Sequence, residues 1–187
     1  IKVPLFYLDT AIGGLKPYEA GGGRQSKTLK LHDKDNREYA LRSIDKTYGK
    51  ALPPIFLNTF VETIINDQVS TAHPFAAFTI PMLANAAKIY HTNPKLVYVP
   101  NQQALDTFNA AFGNTLFLFE KRPDENWETE PGFGHSKKII STEELLKNLE
   151  QDASHQVDQS AFVRARLFDI FLGDWGRHED QWRWATF

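Results

Sequence analysis

An α+β fold is what this sequence predicts, and three observations predict it. Two short runs, Thr28-Leu29-Lys30-Leu31 and Glu38-Tyr39-Ala40-Leu41-Arg42, alternate apolar and polar residues, the two-residue period of a strand with one buried face. Segments with helical spacing follow them. The chain then closes on a helix, a charged loop and an apparent strand.

Taken in order, the first residues are punctuated by Gly13-Gly14 and by Gly21-Gly22-Gly23. Asp33-Lys34-Asp35-Asn36 separates the two alternating runs, and these residue types suit a tight turn, so residues 28–44 should form a β-hairpin. Pro53-Pro54 opens a helix expected to reach about residue 70 and to pack on the same sheet, with Phe56, Phe60, Ile64 and Val69 near helical spacing. His73-Pro74 breaks it. Residues 75–88 read as helical, with Pro81 starting a new turn rather than sitting inside one.

Leu96-Val97-Tyr98-Val99 reads as a strand, residues 103–111 as a helix closed by Gly113, and residues 115–120 as an apolar strand. Residues 121–138 are rich in Pro, Gly and charge and read as a long surface loop. Ser141-Thr142-Glu143-Glu144 is a capping-box pattern that starts a helix to about residue 152. The last helix runs from about residue 158 to 172, with Gly173 as its stop.

Composition bounds the rest. A chain of 187 residues fits one domain and buries roughly 70% of its unfolded surface, so it needs no disulfide or metal to fold. The net charge of −2 leaves no basic footprint for nucleic acid. The absence of Cys excludes thiol catalysis and Cys-ligated zinc but leaves the compartment open. The longest apolar stretch, residues 75–87, is too short and interrupted to span a bilayer, so no membrane contact is expected from this segment. Ile1-Lys2-Val3-Pro4 carries neither an initiator Met nor a signal-peptide pattern, and both ends read as boundaries within a longer protein.

The densest polar cluster is Gly173-Asp174-Trp175-Gly176-Arg177-His178-Glu179-Asp180-Gln181-Trp182-Arg183-Trp184. Its helix-loop-strand order and G-x-x-x-R-H spacing resemble the catalytic loop of atypical kinases, among them the phosphatidylinositol-kinase-like, HipA-like and secretory-pathway kinases. Together with Gly21-Gly22-Gly23-Arg24-Gln25, His73-Pro74-Phe75-Ala76-Ala77 and His91-Thr92-Asn93-Pro94, the cluster resembles an uncharacterised bacterial kinase-like domain. That domain stands beside calcineurin-like metallophosphoesterase domains in large, mainly Bacteroidetes envelope proteins, and the likeness covers nearly the whole chain.

The resemblance implies a kinase-like α+β fold in three parts. Residues 1–120 would be a small β-rich lobe with a helix, 121–140 a linker, and 141–187 the start of a truncated helical lobe. It also implies ATP with Mg²⁺ as cofactors, a neighbouring metallophosphoesterase domain as partner, and the bacterial envelope as location. Phosphoryl transfer needs a phosphate cradle, a cation, bound Mg²⁺ and a group orienting the acceptor. Gly21, Gly22 and Gly23 would be the cradle, Arg42 the phosphate cation in place of Lys, Glu62 its partner, and Glu120 the end of the strand entering the adenine-binding hinge. Asp174, Arg177 and His178 would carry the catalytic loop, and Asp180 and Gln181 would contact metal.

Two departures stand inside the loop: Gly176 occupies the place of the catalytic Asp, and Gln181 that of a metal-binding Asn. A further metal Asp is expected after the strand that ends this sequence. Losing the acid/base group alone costs roughly 10²- to 10⁴-fold in rate, so the expectation for this segment is inactivity.

Plainer readings stand beside each of these. A Gly triplet is also a flexible turn, Arg42 and Glu62 are also solvated surface residues, and Arg177 with His178 can simply cap a helix end. Trp175, Trp182 and Trp184 read as core or cleft wall, and His73 as a structural histidine. His32, His91, His135 and His155 are scattered, and no pair has helical zinc-site spacing. No G-x-S-x-G elbow occurs. Two functions follow: a phosphotransferase-derived nucleotide-binding domain, or a non-catalytic interaction domain that positions the neighbouring phosphoesterase.

Overall fold

A computed structural model describes residues 2–21, 27–44, 55, 58–60, 75–174 and 177–187. The chain is α+β, with elements in the order β1 (Lys16–Gly21), β2 (Thr28–His32), β3 (Glu38–Ser43), α1 (Ile80–Ala86), β4 (Lys95–Val99), α2 (Asn109–Phe112), β5 (Thr115–Lys121), β6 (Lys138–Ser141), α3 (Thr142–Gln151), α4 (Gln159–Leu172) and β7 (Arg183–Thr186). It divides into two compact units, residues 1–78 with 93–122, and residues 79–92 with 123–187. No helix among the described residues is long and apolar enough to cross a membrane.

The first unit is an antiparallel sheet in the order β1-β2-β3-β5-β4. The expected hairpin is present, with Thr28 opposite Arg42 and His32 opposite Glu38. Its alternation sorts the faces: Leu29, Leu31, Tyr39, Leu41, Phe117 and Phe119 are buried on one side, while Lys30, Glu38, Arg42 and Glu120 ride on the other. Each fully buried Leu or Phe contributes about 1.5–3 kcal/mol relative to exposure. The turn is pinned by Asp33, whose Oδ1 accepts from the N–H of Asp35 (2.8 Å) and Arg37 (2.9 Å), while Asn36 takes the left-handed conformation.

Several elements differ from expectation. Strand β1 gave no alternating signal because as an edge strand it buries almost nothing, and a bulge between Pro17 and Glu19 breaks its register. Residues 103–111 are not one α-helix but a 3₁₀ stretch, Gln103–Phe108, kinked at a left-handed Asp106, followed by the single-turn α2. Asn109 Oδ1 accepts from the Gln102 N–H at 3.1 Å, a local bond that competes with helix continuation. Gly113 caps α2 without positive φ; the left-handed residue is Asn114. The helix expected over residues 53–70 lies almost wholly outside the described residues, as does His73-Pro74.

In the second unit Pro81 does start α1. The Pro- and Gly-rich stretch 121–138 is no simple surface loop. Trp127, Phe133 and Ser136 in it are buried, the two rings meeting edge to face at 5.6 Å. Burial of two large aromatics outweighs the local turn signals. The Ser136 hydroxyl bridges β6 to β7, lying 2.7 Å from the Lys138 carbonyl and accepting from the Thr186 N–H at 3.1 Å. Ser141 caps α3 as expected, accepting from the Glu144 N–H at 3.2 Å. Asp158 caps α4, and Gly173 ends it with φ of 71°.

Candidate functional site

The nucleotide candidates belong to the first unit and the loop candidates to the second. In the first, Gly21 is the last residue of β1 and pairs with Thr28, which pairs with Arg42, which pairs with Leu118. One register row therefore carries Gly21 and Arg42 two strands apart, about 10 Å at ordinary strand spacing. Glu120 lies one step along the same face of β5, and its carboxylate accepts from Arg42 Nε. The Arg42 side chain keeps 49% of its surface in contact with water, against 14% for Glu120.

Glu62, the expected partner of Arg42, lies outside the described residues, as do Gly22 and Gly23. Further ion pairs lie on this sheet face. Lys30 pairs with Glu19 at 2.6 Å, and Glu38 takes Arg122 at 2.6 Å and the Tyr18 hydroxyl at 2.7 Å.

In the second unit the loop is organised by a residue that the sequence reading did not select. Asp169, on α4, is 4% exposed, and each of its oxygens takes a guanidinium: Oδ2 from Arg166 Nη1 at 2.8 Å, Oδ1 beside Arg177 Nε at 3.1 Å. Arg177 also donates to Asp174 Oδ2 through Nε (3.0 Å) and Nη2 (2.9 Å). Both guanidinium carbons lie within 6 Å of the Trp182 ring centre, at 5.6 and 5.8 Å. Trp182 packs in turn on Phe162 and Trp184; Trp175 is outside the described residues.

Burial pushes the Asp169 carboxyl above the usual carboxylate range; Arg177 and Arg166 oppose it, and Asp174 adds to it. The sequence signal that could have found Asp169 is a lone carboxylate inside the apolar run Leu167-Phe168-Asp169-Ile170-Phe171.

The remaining candidates are more exposed. His178 Nδ1 lies 3.6 Å from Asp180 Oδ2, with both side chains largely in water. Asp180 and Gln181 sit on one 3₁₀ turn, Glu179–Gln181. Among the described residues no three His, Asp or Glu gather into a group that could hold a metal ion. Asp174 is paired with Arg177, and the Asp180 side chain lies largely in water. Gly176 lies outside the described residues. Comparison with protein-family models, curated proteins and solved structures found no match for this chain.

Proposed function

We propose that this chain is a phosphotransferase-derived domain of kinase-like fold that binds ATP and, with Gly176 and Gln181 where the resemblance expects a catalytic Asp and a metal-binding Asn, is catalytically inactive. In this reading the first unit is the small lobe, and α3 and α4 begin a helical lobe. The observation that carries it is the row of Gly21 and Arg42 across the β1-β2-β3 face with Glu120 beside it. Protein kinases use a Gly-rich turn over the phosphates and a cation on the third strand held by a carboxylate. Arg42 fits that role as a forked cation. Mg²⁺ enters only as the partner of ATP, because the described residues offer it no cage of their own. The setting proposed with it is a bacterial envelope protein with an adjoining metallophosphoesterase domain.

Calorimetry with MgATP on the wild-type chain and on Arg42→Ala tests this reading. We expect a dissociation constant of about 0.1–1 mM, roughly −5.5 to −4 kcal/mol, and several-fold weaker binding for Arg42→Ala. Equal binding by both proteins removes Arg42 from the site. Absence of binding at millimolar ATP favours a second reading, a non-catalytic interaction domain positioning the phosphoesterase. That reading has its own support in α4, where Val163, Leu167, Ile170 and Phe171 form an exposed apolar stripe at helical spacing, the kind of surface that another element covers.

A further inference from the structure

We propose that Asp169 is the positioning residue of the segment that follows α4, a carboxylate retained inside the fold to aim the Arg177 guanidinium. Side chain and backbone act together here. The Asp169 carboxylate faces Arg177 Nε, while its carbonyl accepts the Asp174 N–H at 2.9 Å, so one residue fixes the chain on both sides of the Gly173 stop. Arg166, one helical turn earlier, holds the second oxygen at 2.8 Å and prevents the carboxylate from rotating away. Arg177 is in this way set between Asp169, Asp174 and the Trp182 ring, directly before His178.

A buried ion pair of this kind returns little stability. Taking the carboxylate out of water costs more than two half-exposed guanidinium groups give back, which is the direction in which its proton affinity has moved. Apolar side chains in place of the whole Arg166–Asp169–Arg177 cluster would serve stability as well. What Asp169 supplies instead is direction: a guanidinium held from two sides in one orientation. The purpose of that orientation rests on reading the segment as a phosphotransfer-type loop; the geometry does not.

The test follows the Arg177 Nε–H signal by NMR in the wild type, Asp169→Asn and Asp174→Asn, with thermal melting in parallel. Positioning by Asp169 predicts that in Asp169→Asn the Arg177 Nε–H exchanges at least about tenfold faster, the factor for ~1.4 kcal/mol, and moves to the position of a free arginine. The two guanidinium groups left behind are half-exposed, so the variant should still melt cooperatively. Asp174→Asn removes the group that accepts this proton and should also loosen it, so the deciding variant is Asp169→Asn, in which Asp174 is still present. An unchanged signal in Asp169→Asn, where the Asp174 acceptor remains, overturns the proposal. A collapse of melting temperature together with every arginine signal would make Asp169 a structural residue only. None of these outcomes depends on nucleotide: failure of the MgATP titration leaves this result standing, and the converse also holds.

Discussion

Raising the pH from about 9 to about 12 should destabilise the first unit through Tyr39, and Tyr39→Phe should blunt that response. The phenol is 2% exposed and donates to the buried Asp33 Oδ2 at 3.2 Å. Burial first, then the Asp33 charge and the hydrogen bond to it, push its pKa from 10.0 up to about 12. A phenol raised in the fold keeps its proton longer folded than unfolded. Its contribution is therefore complete below pH 10 and is lost as the pH climbs through 12. Two units at about 1.4 kcal/mol each make that loss about 2.7 kcal/mol.

Phe at position 39 forfeits the bond to Asp33, about 1–1.5 kcal/mol at every pH, but has nothing to ionise. The two stability curves should cross near pH ~11, the wild type being the more stable below and the variant above. Urea unfolding followed by circular dichroism across this range, with phenolate absorbance recorded alongside, reads both quantities. Parallel curves, or a Tyr39 phenol titrating at its ordinary value, would refute the assignment of the hairpin's buried hydrogen bond as its alkaline weak point. Tyr18, also pushed up to about 12, by partial burial first and then by its hydrogen bond to Glu38, but more in contact with water, serves as the control, and Tyr18→Phe should move the curve far less.

Two further outcomes follow from local packing. Gly113→Ala should destabilise by about 1–3 kcal/mol in urea unfolding, because its Cβ would meet Asn101 Oδ1 and come within 2.7 Å of the Asn109 carbonyl; Gly21→Ala, with nothing within 4 Å, should stay within about 0.5 kcal/mol. His91, whose two ring nitrogens are buried without a hydrogen-bond partner, is held below its usual pKa by burial, against the nearby carbonyls of Pro81 and Ile89. Its contribution is present above pH 6.5 and lost as the pH falls, so His91→Phe should flatten the acid side of the melting profile below pH 6.5.

The legible parts of the fold are those in which local chemistry and long-range packing agree. Leu29, Leu31, Tyr39 and Leu41 alternate because one sheet face is buried, and Ser141 and Gly173 mark helix ends through bonds made within a few residues. Strand β1 stayed hidden because an edge with solvent on its side chains has no alternation to read. Trp127 and Phe133 stayed hidden inside a Pro- and Gly-rich stretch because their burial comes from partners distant in sequence. The same holds for the site. The residue types of the Gly173 to Trp184 cluster draw the eye to Asp174, Arg177 and His178, but the carboxylate that organises them is Asp169. Its importance depends on an Arg eight positions later, beyond a helix stop, and no periodicity reports that.

The borders of the five-stranded sheet carry a consequence for the protein at high concentration. Along β4, Phe6 donates to the Tyr98 carbonyl at 2.8 Å and Tyr98 to the Pro4 carbonyl at 3.0 Å, so that margin is already occupied by the chain's own first residues, which Gln102 clamps in place through Leu8 and Phe6. Along β1, Pro17 withholds a donor and the bulge after it throws the ladder out of step. A fibril grows by copying such margins, one chain templating the next, and neither margin of this sheet offers an uninterrupted template. Crowding should therefore drive this unit toward amorphous precipitate before ordered filaments.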